Sequence, residues 1–175
     1  MSMFEHLWNG WRADYVSAER GGDDGDGSVF TRLLESGMSD AETYIVHRSG
    51  LCFAILNAFP YSTGHLLVVP YRQVSDLTEL DPDETADIWA TVTDGVKAVR
   101  RSHQPAGINV GINMGKVAGG SIAEHLHVHV VPRWLGDSNF MTAIADTRTI
   151  PEALSQSADR IRDAWPQPGT PKVVA

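Results

Sequence analysis

Cysteine is nearly absent from this chain: one thiol, Cys52, stands among 175 residues. An internal disulfide is therefore excluded, and nothing in the sequence asks for an oxidising compartment. Cys52 falls in an apolar run and reads as a small buried hydrophobe. Basic residues are also scarce, with 14 Lys and Arg against 22 Asp and Glu and a formal charge of −8. Holding a nucleic-acid polymer requires a basic face, and beyond Arg100-Arg101 no basic cluster occurs. A polymeric nucleic acid is not expected as a partner, whereas a small anion held at one point is allowed. No stretch approaches the roughly 18 apolar residues of a membrane span, and no basic segment followed by an apolar run opens the chain. No membrane partner is expected, and the cytoplasm is the expected location.

What is present is the mixture of an ordinary globular chain, 42% hydrophobic and 21% charged. Residues 1–27 read as an aromatic-rich arm (Trp8, Trp11, Tyr15) ending in a Gly/Asp loop. Residues 28–135 read as the main domain, and residues 136–175 as a C-terminal extension with a helix over 151–165. Val29, Phe30, Leu33 and Leu34 recur at helical spacing. Short apolar runs over 43–46, 51–56 and 65–69, separated by Ser49-Gly50 and by a turn from Pro60 to Gly64, predict three antiparallel strands. Asp81-Pro82 with Glu84 is a helix start with its cap, and Trp89, Val92, Val96 and Val99 continue it as one buried stripe to about His103. Residues 107–113 and 125–131 supply two further strands. The fold class is thus α+β, a five-stranded antiparallel sheet with flanking helices.

Residues 125–131 read His-Leu-His-Val-His-Val-Val, and they carry the chemistry. In a strand, alternate side chains share a face, so His125, His127 and His129 line up about 7 Å apart. One histidine alone is usually a satisfied, partly buried residue, but ordinary packing does not call for three in register. Such a row suits a metal site or phosphate chemistry with a histidine nucleophile. A metal would need further ligands, and His65 or Glu124 would have to be recruited. For phosphate chemistry, a neutral imidazole attacks phosphorus with one nitrogen while its other N–H is held by a carbonyl. His127, flanked on both sides, is the natural nucleophile, with His125, His129 and His65 around it. A Gly-rich stretch, residues 115–121, ends just before the row. It can turn backbone N–H groups and the Ser121 hydroxyl toward the same anion.

The run over 125–131 resembles the His-φ-His-φ-His-φ-φ motif of the histidine triad (HIT) superfamily. The segment 57–70 with Gly64-His65, and the strand 107–113 before the triad, support the likeness. The resemblance covers roughly residues 28–135. It implies nucleotidyl transfer or hydrolysis through a covalent nucleotidyl-histidine at His127, and a dimer with a continuous ten-stranded sheet. It places Asn57 at the ribose, and Phe30, Leu33 and Leu56 around the base, where plain core is the competing reading. Asn113 and Ser121 fall near the phosphates. No cofactor is implied. Many bacterial relatives carry a Cys-x-x-Cys pair that helps to bind a structural zinc. Ser28 and Thr31 stand at those positions here, so no metal is expected, although His103 matches a ligand position and otherwise reads as a surface residue. The residues around the triad, with Gly119-Gly120-Ser121, Pro132-Arg133-Trp134 and the N-terminal Trp8 and Trp11, resemble the actinobacterial diadenosine tetraphosphate phosphorylase branch. There inorganic phosphate resolves the intermediate, and Gly120 and Ser121 would hold it. Trp134 would stack near the site, or else anchor an interface. Hydrolysis of dinucleoside polyphosphates or nucleoside phosphoramidates, and nucleotide sensing without turnover, are the alternatives.

Overall fold

A computed structural model describes residues 27–118, 122–137 and 152–167. The aromatic arm, Gly120, Ser121, Pro151 and residues 168–175 lie outside the described residues. In chain order the elements are α1 (Val29–Glu35), α2 (Asp40–Thr43), β1 (Ile45–Arg48), β2 (Cys52–Leu56), β3 (Leu66–Pro70), α3 (Pro82–His103), β4 (Gly107–Ile112), β5 (Val128–Arg133) and α4 (Leu154–Ala164), with short 3-10 turns at Leu77–Glu79 and Lys116–Ala118. One sheet in the order β1-β2-β3-β5-β4 joins all five strands. Every pair is antiparallel.

The central strands β2 and β3 are buried along their whole length, because both faces of the sheet are covered. On one face Cys52, Ala54, Leu56, Leu66 and Val68 pack against Ile88, Val92 and Val99 of α3 and Ala158, Ile161 and Trp165 from the C-terminal segment. On the other face Phe53, Ile55, Leu67 and Val69 pack against Phe30 of α1. The alternation follows from the two-residue period of a strand. Cys52 is fully buried, and burial pushes its thiol up to about 12, which leaves it unreactive.

Helix α3 starts as the sequence predicts. Asp81 Oδ1 accepts the Glu84 N–H at 2.9 Å, and Glu84 Oε2 accepts the Asp81 N–H at 3.0 Å, with Pro82 in the first turn. Replacing Asp81 by Ala is expected to cost about 1 kcal/mol, read as a lower urea midpoint at unchanged slope. The buried stripe differs by one position from its expected course. Ile88, Val92, Gly95 and Val99 face the sheet, whereas Trp89 is 44% exposed. Gly95 is where the helix comes closest: a Cβ there would meet Leu66 Cδ2 at 2.8 Å.

Strand β5 begins at Val128 rather than at His125, so His125 and His127 precede the regular ladder. The register pairs Val68 with Val128, and continued it would set Leu126 opposite Pro70, which has no N–H to give. The Leu126 N–H turns instead to the Val74 carbonyl at 2.6 Å. No helix among the described residues is long and apolar enough to cross a membrane.

Candidate active site

The histidine row survives the shorter strand, held by side-chain hydrogen bonds in place of a ladder. His125, His127, His129 and His65 are all buried. The rings of His127 and His129 stand 4.8 Å apart, and the Phe30 ring meets His125 and His127 edge-on at 5.4 and 5.6 Å. Beside His129 opens a cavity of about 320 Å³, lined by Tyr61, Ser62, Asn113 and Arg133 among others.

Each tautomer follows from its partners. His127 Nδ1 lies 2.8 Å from the His125 carbonyl, which can only accept. The proton therefore sits on Nδ1, and Nε2 carries a lone pair. His65 Nδ1 accepts the Tyr61 N–H at 3.0 Å, so its proton is on Nε2 and is donated to His129 Nδ1 at 3.0 Å. That leaves His129 with a hydrogen on Nε2, 3.4 Å from Asn113 Nδ2, so two donors face each other there and neither takes the other's proton. The row thus presents a nucleophilic nitrogen next to an N–H donor.

Burial holds His125, His127 and His129 below the ordinary imidazole range, and His129 at about 4. At neutral pH the row is uncharged. The unfolded chain takes up protons as pH falls below about 6.5, whereas folded His125 and His127 take theirs up only below that value and His129 only at about 4. The contribution of these groups to stability is therefore complete above the unfolded value and is lost as pH falls through that window. Urea midpoints measured from pH 7 down to pH 4.5 are expected to decline progressively.

The structure sorts the remaining expected site residues. Asn57 lies beside His65, with Nδ2 at 3.3 Å from His65 Nδ1 and Oδ1 accepting the Phe59 N–H. Phe30 and the partly buried Leu33 belong to the cluster on the histidine side. Leu56 does not: it packs on the helix-covered face, and its neighbour Ile55 takes the histidine face. Strand parity makes the two exclusive. Trp134 follows β5 in a turn whose N–H bonds Asp137 at 3.1 Å.

His103, read as a surface residue, is buried instead. Its side chain is 3% exposed, Nδ1 meets Ser102 Oγ at 2.7 Å, and Nε2 lies 3.3 Å from Glu152 Oε2 outside hydrogen-bond geometry. Its ring lies against Gly64, whose φ is +75° and whose added Cβ would come within 3.2 Å of the imidazole. That turn delivers His65. Ser28 is instead a hydrogen-bond partner of His125, 2.6 Å from Nδ1. Its contact with Gln73, 45 residues away, has no sequence signal.

A five-stranded antiparallel sheet in an α+β fold thus carries a row of buried imidazoles at one end. Residues 39–134 match the HIT domain family model, and the chain belongs to the HIT family. Among curated proteins it is 40% identical to an "AP-4-A phosphorylase" of Mycobacterium tuberculosis, over 92% of this chain and 84% of that one. It is 33% identical to a "Bis(5'-nucleosyl)-tetraphosphatase [asymmetrical]" of Schizosaccharomyces pombe, over 53% of this chain and 50% of that one. Among solved structures, a zinc-bound histidine triad family protein of Mycobacterium smegmatis superposes with a TM-score of 0.64 at 29% identity, covering 79% of this chain and 92% of its own. The donors here do not fit that metal. Around His125 stand two hydroxyls and one amide oxygen, whereas zinc takes thiolate, imidazole and carboxylate.

Proposed function

We propose that this chain cleaves dinucleoside polyphosphates through a covalent nucleotidyl-histidine on His127, and that inorganic phosphate then accepts the nucleotidyl group. The observation that carries the reading is the His127 Nδ1–H on the His125 carbonyl, which leaves Nε2 as a lone pair in a neutral, buried row. In the first step Nε2 attacks the α-phosphorus of diadenosine tetraphosphate, the bond to the bridging oxygen breaks, and ATP departs. In the second step a phosphate oxygen attacks the same phosphorus, the N–P bond breaks, and ADP forms. The His129 Nε2–H and the Asn113 amide supply neutral donors to the phosphoryl oxygens, as stabilisation of developing charge requires. Gly120 and Ser121 are proposed to hold the incoming phosphate, and Phe30 and Leu33 to line the base. The resemblance to the Mycobacterium tuberculosis phosphorylase over nearly the whole chain supports phosphate as acceptor.

Product analysis tests this. Incubation with diadenosine tetraphosphate is expected to yield ADP and ATP only when phosphate is present. AMP and ATP in either condition would transfer the reading to hydrolysis, which the likeness to the fission-yeast tetraphosphatase favours.

We also propose a homodimer paired through β4, one of the sheet's two edge strands, which is exposed or half-exposed along its length. Light scattering is expected to give twice the mass of one chain, and a single-chain mass at assay concentration would remove this pairing.

A further inference from the structure

Residues 125–127 hold the reacting imidazole but lie outside the β5 ladder, so something else must fix them. Three acceptors or donors do so. The Pro70 carbonyl takes the His125 Nε2–H at 2.9 Å, the Val74 carbonyl takes the Leu126 N–H at 2.6 Å, and Ser28 Oγ meets His125 Nδ1 at 2.6 Å. A carbonyl only accepts, so neutral His125 is protonated on Nε2, and its Nδ1 must receive the Ser28 hydroxyl proton. Ser28 is in turn held by Gln73. Gln73 Oε1 accepts the Ser28 N–H at 2.8 Å and the Thr31 hydroxyl at 3.0 Å, and Ser28 Oγ accepts the Thr31 N–H at 3.2 Å. Ser28 Oγ also lies 3.2 Å from Thr31 Oγ1, whose own proton goes to Gln73. Ser28 and His125 are buried, at 1% and 0% exposure, so water does not compete for the bond between them.

The two hydroxyls and the amide oxygen around His125 do not suit zinc. We propose that Ser28, Thr31 and Gln73 form a metal-free positioning device that holds the His125 ring at Nδ1, as the Pro70 carbonyl holds it at Nε2, and thereby fixes the main-chain carbonyl on which His127 Nδ1–H rests. In this device the serine hydroxyl does through a directed hydrogen bond what a metal ligand does through coordination. The residues touch no substrate and act through His125 alone. Loss of the Ser28 proton leaves His125 Nδ1 buried and unpaired, and the ring is then anchored only through its Nε2–H on the Pro70 carbonyl.

The test reads ring nitrogens directly, with long-range 1H–15N correlation spectra of the full chain. The unsubstituted protein is expected to show His125 protonated at Nε2 and His127 at Nδ1. Ser28→Ala is expected to move the His125 Nδ1 signal to that of an unpaired nitrogen and to shift the His127 signals with it, and Ser28→Thr, which keeps the hydroxyl, to restore them. Gln73→Ala, a change at an exposed side chain that spares the helix cap, is expected to shift the same signals to a smaller extent. In the kinetic arm, which rests on the proposed activity, Ser28→Ala is expected to lower kcat about 10-fold with KM within about 2-fold, and Ser28→Thr to recover it. Ring signals unmoved in both Ser28→Ala and Gln73→Ala would overturn the device. So would one equivalent of zinc in protein purified without added metal. The spectra and the metal content need no substrate. A wrong substrate assignment therefore leaves them standing, and ring signals indifferent to Ser28 defeat the positioning role even if diadenosine tetraphosphate is cleaved.

Discussion

Replacing His127 by Ala is expected to reduce cleavage of diadenosine tetraphosphate by about 10⁴-fold or more, because removal of a covalent nucleophile deletes the reaction path rather than weakening it. The other donors stay in place: His65 Nε2–H still donates to His129 Nδ1, and Asn113 still faces its Nε2. Nucleotide binding should therefore persist, measured by calorimetry with a non-cleavable analogue, while turnover disappears. A rapid quench with radiolabelled substrate should trap an acid-labile adenylyl group on the unsubstituted protein and none on the variant. Activity within about 10-fold of the parent would end the case for His127 as nucleophile. Loss of activity together with loss of the folded state would not be the expected pattern, since the ring is held by one carbonyl and Phe30 rather than by the central core.

The second large effect concerns stability and lies far from the chemistry. Trp165 is 5% exposed, stacks on His47 with ring centroids 4.6 Å apart, and reaches beneath Gly95, where its Cη2 would lie 3.5 Å from an added Cβ. With the fully buried Ala158 and Ile161 it fastens α4 to the sheet and to α3. Trp165→Ala is expected to cost about 3–5 kcal/mol, a large share of the roughly 5–15 kcal/mol that keeps a domain folded. Equilibrium urea unfolding measures it. A loss below about 1 kcal/mol would mean that α4 contributes little to the core.

Features written in local pattern were legible in the sequence. The Asp81-Pro82-Glu84 start of α3 and the apolar runs of β2, β3 and β4 are set by neighbours a few residues apart, and the structure places them within a residue of the reading, whereas β1 runs Ile45–Arg48 and not 43–46, because Thr43 ends α2 and Tyr44 turns through the left-handed region. The spacing of His125, His127 and His129 announced the row. What escaped the reading depends on partners distant in the chain. The start of β5 is set by the missing N–H of Pro70 across the sheet. The choice of Ile55 over Leu56 for the histidine face needs the sheet's sidedness, which alternation leaves open. Trp89 follows an apolar pattern yet lies one step off the buried stripe that Ile88 begins. Gln73, polar and in a loop, has no pattern at all until Ser28 is folded against it. His103 is buried only because Gly64 and Glu152 come to it.

The bonds that set the row join residues separated by 97 positions for Ser28 and His125, 64 for His65 and His129, and 55 for Pro70 and His125. Contacts of such range close late in folding, because the entropy of the intervening loop must be lost before they form. On the ribosome, β1 to β3 and α3 exist before the segment carrying His125 to His129 has been synthesised. Catalytic competence is accordingly the last property the nascent chain acquires, and a molecule with its hairpins and long helix already formed is still chemically silent.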